Sequence, residues 1–532
     1  MASTTTSLIN HSFGGIRRKD SMFSDEKITC SDCQNVELFY TDLNSAIGLR
    51  TAKGNVSVGA TIPDGEEVVG LFETVQNNVL HYIVYTESIS AGKLYELNIS
   101  TKELTALTLP NNNAPLTVTG KCQAENFTQG WLDVMVFSNG VEIIFIYTDT
   151  QNNSSLYIAG ANDGSAANKL SVTLQDTDGR TVKGLGLVNF DKRLWVFNGT
   201  TIWYSHQENI ANFHNEQSDL TKNTRAGYIE RPKTITAIHE YLGSIAVFHK
   251  DSSALITQDS TTLFKVGDDS PGGCASYNSL VFHGTDLFFY DNNKKGVFAF
   301  QQVVNGDKTL SDNIAYDIQE ELMKIDKTKL HLIRTLSVVT SDRNEVWFLL
   351  PISSTYDVDG VTKNASIVMI YDYIRGEWVK RKCQHINAIA VIDNMLFSAG
   401  DEIYQEYITS NFNGNYIDNY YQCTIMNMGT DNTLKITKFP PRLTIDASFV
   451  NHFFVKYVKN YNITKKPKIK ELFSKSFGNV LTYDSNQRWD SGRTYKPGTI
   501  SGIIKMPSAT FKALEITFYT TAPDQEFVIK SF

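Results

Sequence analysis

Cys30-Ser31-Asp32-Cys33 places two thiols at the spacing that holds metals or exchanges disulfides. A zinc site needs a second pair or histidines at a set distance, and His11 is the sole nearby candidate. Cys122, Cys274, Cys383 and Cys423 are scattered, so the expectation is free thiols and no metal. Adjacent carboxylates in "GDDSPGG" (267–273) could meet calcium, yet calcium loops alternate their oxygen ligands over a longer span. A solvated turn is the expectation there, and also for "DTDGR" (176–180). "GLGLVN" (184–189) lacks the third glycine and the helix of a dinucleotide fingerprint, and no G-x-S-x-G, H-E-x-x-H or P-loop occurs. The ten histidines stand singly, and they read as turn or interface residues. Propeller glycosidases use two carboxylates from different blades, a pair that sequence alone does not pick out among 57 acidic residues. No catalytic constellation emerges; the reading is a protein that is not an enzyme and takes no cofactor.

Composition points the same way. Charged residues make up only 20% and apolar residues 41%, with a formal net charge of −8. A mildly acidic chain is a poor general gripper of nucleic acid, which needs basic stripes. The basic clusters "IRRKD" (16–20), "VKRKC" (379–383) and "ITKKPKIK" (463–470) are weak; the last could touch phosphate, but a solvated loop is the expectation there. "MASTTTSLINHSFGG" has no basic segment followed by an apolar core, so no signal peptide is expected. The longest apolar runs, such as "VEIIFIYT" (141–148), are strand-sized, and no membrane span is predicted.

The elements that would position any site are hairpins. "LGLVNFDKRLWVFNGTTIWYS" (185–205) sets strand-favouring residues around Asn198-Gly199, the strongest short-range hairpin signal. The plan recurs at 79–98, 141–160, 242–258, 284–300, 344–380 and 387–406. Anchors Leu194, Ile245, Leu287, Val346 and Leu396 lie 51, 42, 59 and 50 residues apart. Such periods, with about four short strands per unit, suggest propeller blades; a pair of β-sandwiches with unequal loops is the alternative. Ile314, Ile318 and Leu322 at i, i+4, i+8 predict one amphipathic helix over 311–327. The predicted fold is mainly β: a propeller-like array of antiparallel blades (66–410) with that inserted helix, an N-terminal extended arm with short strands (1–65), and a small C-terminal β domain (411–532). Trp195, Phe288 and Trp347 are expected to be buried between blades.

Four segments together carry a resemblance: "FGGIRRKDSMFSDEKITCSDCQNVELFY" (13–40), "VNFDKRLWVFNGTTIWYSHQENIANF" (188–213), "DDSPGGCASYNSLVFHGTDLFFYDNNKKGVFAF" (268–300), and the helix followed by "VWFLLPISSTYDVDGVTKNASIVMIYDYIRGEWVKR" (346–381). In order and combination the chain resembles the tail hub or nozzle proteins of short-tailed bacteriophages, the packaged-DNA stabilisation or head-completion family, over roughly 13–410. A weaker echo lies at 513–532. The resemblance implies a virion structural protein of the tail, made in the host bacterial cytoplasm. It would form a ring with copies of itself, six-fold, below the portal and adaptor. That ring retains packaged double-stranded DNA and conducts it without specific binding, and no membrane is part of the assembled particle. It implies no catalytic residue. Phe13, Gly14, Gly15 and Ile16 of the arm are the candidate subunit contacts. Lys465, Lys466, Lys468 and Lys470 are expected to face neighbours or the exterior. The Cys-x-x-Cys and the C-terminal extension lie outside the family's pattern. The alternative is a receptor-binding or polysaccharide-degrading propeller protein of the tail.

Overall fold

The computed structural model describes residues 13–16, 28–40, 47–109, 114–129, 132–148, 156–159, 172–207, 209–219, 221–260, 262–302, 308–340, 343–358, 361–382, 386–415, 417–423, 426–427, 442–449, 452–459, 467–473, 498–505, 513–521 and 526–531. The protein is mainly β, built from many small sheets. Seven of them follow one another along the chain as antiparallel meanders: 67–106, 123–159, 185–230, 235–271, 280–310, 334–381 and 388–406. They are called sheets one to seven below. Sheet seven has three strands of its own and gains a fourth from Asn55–Ser57, which precedes sheet one in the chain.

The hairpin pattern explains these meanders. The first strands of sheets one, three and seven turn into their second strands through Asn77-Asn78 (φ 49° and 62°), Asp191-Lys192 (54° and 56°) and Asp393-Asn394 (50° and 57°). Both central residues left-handed is the type I′ geometry, whose twist matches paired strands, and Asn and Asp tolerate it best. At Asn198-Gly199 the second turn of sheet three uses Gly199 (φ 62°) as its first central residue, since Asn198 pairs with Thr201.

Second strands read as continuous apolar runs because both of their faces are covered. In Arg193–Asn198, Leu194 and Val196 pack with Val134, Val136, Phe145 and Tyr147 of sheet two. The intervening Trp195 and Phe197 pack with Ile245, Val247 and Phe264 of sheet four. Sheet one repeats this: Ile83 and Tyr85 meet Met135 and Phe137 of sheet two, while Val84 meets Ala390 and Phe397 of sheet seven. The anchors Leu194, Ile245, Leu287, Val346 and Leu396 all fall on second strands and are buried, as are Trp195, Phe288 and Trp347.

Two expectations differ from what is seen. The single helix over 311–327 is instead three short turns: 3-10 at Tyr316–Ile318, α at Gln319–Leu322 and 3-10 at Lys327–Leu332. Of the spaced set, Ile318 and Leu322 are buried while Ile314 is only half-buried; Ile325 is buried as well. The helix stops because Asp326 N donates to Pro351 O (3.0 Å) and Ser353 N donates to Lys324 O (3.0 Å). That backbone is taken into a bridge between Ile325 and Ile352.

The chain also groups differently from 1–65, 66–410 and 411–532. One compact unit comprises 1–56, 368–384 and 406–532, and the other 57–367 and 385–405. In the first unit the N-terminal strands are shared with C-terminal ones. One sheet runs Phe13–Ile16, Ile28–Gln34, Tyr420–Cys423, Ala513–Tyr519, His452–Lys459, Lys468–Phe473. A second runs Val36–Tyr40, Ile47–Thr51, Phe527–Ser531, Arg442–Phe449, Gly498–Lys505. The short strands between 13 and 51 therefore lie in sheets that strands from 420–531 complete. Short strands with open edges need partners, and here these come from the far end of the chain.

Candidate functional site

The first strands of the seven sheets lie side by side. Successive first strands touch from sheet one to sheet four, Tyr241 of sheet four reaches Phe282 of sheet five (6.4 Å between rings), and sheets five to seven continue the series. The first strand of sheet seven then packs on that of sheet one. Between them is a cavity of about 400 Å³.

Side chains tie its wall together. Gln123 Oε1 accepts from Gly186 N (2.8 Å) and Leu187 N (3.1 Å), and Asn126 Nδ2 donates to Glu73 O (2.9 Å). Cys122 Sγ donates to Val69 O (3.3 Å). This close approach requires glycine at 70, where a Cβ would stand 2.6 Å from that sulfur. At the end where the first strands begin, residues reach across: Cys122 N donates to Tyr277 OH (3.1 Å), Asn278 Nδ2 to Cys122 O (3.1 Å) and Thr335 N to Asn278 O (2.8 Å). Arg334 and Thr335 line the cavity beside them, and Glu73, Glu125 and His239 line it further along their strands.

The electrostatics are unusual for a wall of strands. Burial, reinforced by the charge of Glu240, pushes the Glu125 carboxyl up to about 7. Burial pushes His239 below its ordinary value, despite the ring's 2.6 Å contact with Glu240 O. Burial also lifts the Cys122 thiol to about 11, so it is neutral. Around pH 7 the site thus offers a carboxyl near its titration point, a neutral imidazole and the Arg334 cation. Its volume suits a small molecule. A cavity of that volume is far too small for a DNA duplex, whose major groove alone is roughly 12 Å wide.

The residues singled out by spacing have other roles. Cys30, Cys33 and Cys423 are buried free thiols, Cys30 pairing with Cys423 across strands. Burial, then neighbouring Cys33, Cys423 and Asp32, holds the Cys30 thiol protonated. Among the described residues no group of three His, Cys, Asp or Glu could hold a metal. In "DTDGR" the Asp176 carboxylate is filled by N–H donors: Arg180 N (2.9 Å), Arg180 Nε (2.8 Å), Asp178 N (3.0 Å) and Trp203 Nε1 (3.0 Å). In "GDDSPGG", Asp269 pairs with Arg231 (2.5 Å) and Lys233 (3.7 Å). "GLGLVN" supplies the first strand of sheet three. His283 bridges Ser337 Oγ and Asn344 Oδ1, a structural role.

In "VKRKC", Val379, Lys380 and Arg381 belong to the strand Glu377–Arg381. Arg381 is buried against Glu406 and donates to Lys53 O (2.8 Å), while Lys380 donates to Asp32 Oδ1 (2.9 Å). Phe13, Gly14, Gly15 and Ile16 form a buried strand. Phe13 sets its ring edge-on to Tyr421 (5.5 Å), Gly14 O accepts from Tyr421 OH (2.8 Å), and Gly15 N donates to Glu377 Oε2 (2.9 Å). These residues are used within the chain. Lys468 is exposed. His11, Arg17, Arg18, Lys19, Cys383, Lys465 and Lys466 lie outside the described residues, as does the side chain of Lys470.

The cavity residues carried no motif. Their one signal was position: Glu125, His239 and Arg334 lie on strands of mixed polarity that precede an apolar second strand. No protein-family model matches the chain, and no curated protein matches it significantly. Among the described residues no helix is long and apolar enough to cross a membrane.

Proposed function

We propose that this chain is a virion structural protein of a short-tailed bacteriophage, a subunit of the tail hub or nozzle ring below the portal, and that sheets one to seven are the blades of a β-propeller. The propeller reading rests on closure. The strand Asn55–Ser57 completes sheet seven from the N-terminal side, Val58 N donates to Ile403 O (2.9 Å), and Val68 N donates to Gly400 O (2.9 Å). Val58 and Ala60 share a core with Val68 of sheet one and Ala388 of sheet seven. Joining the last blade to the first in this way leaves no open end to the array.

The tail reading is supported by the coincidence of the resemblance with the sheets. Residues 188–213 cover the second and third strands of sheet three, 268–300 the first three strands of sheet five, and 346–381 most of sheet six. A duplex does not fit the cavity, so this reading routes DNA between copies of the chain, through the hole of their ring. Mass photometry of the chain alone and with the portal connector of the same virus tests it. The chain should be monomeric or weakly associated alone and form a closed ring on the connector. A stable closed oligomer that cannot join the connector would contradict it.

One observation favours the polysaccharide-degrading alternative: Glu125, raised toward 7 beside Glu240, has the character of a glycosidase general acid. Hydrolysis of host surface polysaccharide that is lost in Glu125→Gln would select that reading.

A further inference from the structure

Among the described residues three arginines are less than a tenth exposed, and two of them have acidic partners. Arg381 is paired with Glu406. Arg193 meets Asp191 (3.2 Å) and donates to the carbonyls of Ser205, Asn223 and Arg225. Arg334, at 8% exposure, is the exception. Its Nη1 donates to His331 O (2.9 Å) and approaches Ile333 O (3.5 Å), and its Nη2 lies 3.9 Å from Cys122 Sγ. Among the described residues no carboxylate pairs with it. The neighbouring Cys122 thiol and Tyr277 phenol, both held protonated by burial, supply no counter-charge.

A buried cation without an anion is strongly unfavourable, and folded proteins rarely keep one without use. Arg334 borders the cavity between the first strands, as does Thr335, whose buried Oγ1 has no hydrogen-bond partner. The guanidinium's planar fork suits a carboxylate, and a hydroxyl beside it can donate to the same group. Further along, the wall offers Glu125, Asn126 and His239, acceptors suited to hydroxyl donors.

We propose that this cavity binds a small hydroxylated carboxylic acid, of sugar-acid size, with its carboxylate on Arg334 and Thr335 and its hydroxyls toward Glu125 and His239. An amino acid fits less well, because a carboxyl half-protonated at neutral pH is a weak partner for an ammonium. A phosphate dianion is disfavoured by the acidic groups of Glu73, Glu125 and Glu240. The proposal is independent of the tail reading.

Isothermal titration of the full chain at pH 7 with D-glucuronate, D-glucose, glycine and inorganic phosphate tests it. Glucuronate should bind at least tenfold more tightly than the other three and raise the melting temperature. Thr335→Val should weaken it several-fold, and Arg334→Met should abolish it. No binding of glucuronate, equal binding of glucose, or tighter binding of glycine or phosphate would overturn the proposal. So would unchanged affinity in Thr335→Val, which keeps the residue's shape and decides the matter if Arg334→Met does not fold.

Discussion

Glu125 sits in surroundings unlike those its type leads one to expect. Its carboxyl is lifted from 4.5 to about 7, first by burial and then by the charge of Glu240. A raised acid favours the folded state only while protonated, so its contribution is full below about pH 4.5 and is lost as pH rises through about 7. A tenfold change in proton affinity corresponds to about 1.4 kcal/mol; allowing for the water the cavity admits, the loss is about 1–3 kcal/mol. Urea unfolding at pH 5 and pH 8 should show the native chain losing that much relative to Glu125→Gln, the two being nearly equal at pH 5. Parallel pH profiles would contradict the assignment. This residue was illegible in the sequence, since "QAENFTQ" has no motif and Glu240 lies more than a hundred positions away. The visible motifs misled for a physical reason. Asp176 and Asp269 do sit in polar turns, but nearby N–H groups and cations occupy their oxygens.

At the scale of elements the sequence was far more legible. A strand covered on both faces must be apolar throughout, so "RLWVFN" and "DLFFYD" announce themselves, and two-residue turns such as Asp393-Asn394 fix the pairing register. Trp195 tests how much these strands hold together. It is fully buried, donates from Nε1 to Phe190 O (3.0 Å), and packs on Tyr204 (4.9 Å) and Phe264 (4.7 Å). Trp195→Ala should destabilise the chain by about 3–5 kcal/mol in chemical denaturation. An unchanged midpoint would refute the packing of sheet three on sheet four. Helical periodicity failed where it was not decisive. The apolar spacing in 311–327 is met by short turns because a neighbouring strand captures Lys324–Asp326, a tertiary claim that local pattern does not register.

Over the whole chain, the least legible feature is the unit that joins the two ends. Cys30 pairs with Cys423, and Leu49 with Ile529; composition gives no sign of partners so far apart, and each end read alone looks like an arm or a separate domain. The tail reading belongs to this scale as well. A net charge of −8 suits a conduit, because each phosphate neutralised by Lys or Arg would add a salt-dependent grip on the passing duplex. The burial of Arg381 and the pairing of Lys380 with Asp32 remove two cations from any such surface. The most direct measurement is genome retention: virus particles assembled without this protein are treated with nuclease, and the protected DNA is quantified. The account predicts that such particles lose their packaged DNA and that supplying the protein restores it. Particles that keep a full, protected genome without it would contradict a role in closing the head and shift the weight to receptor binding.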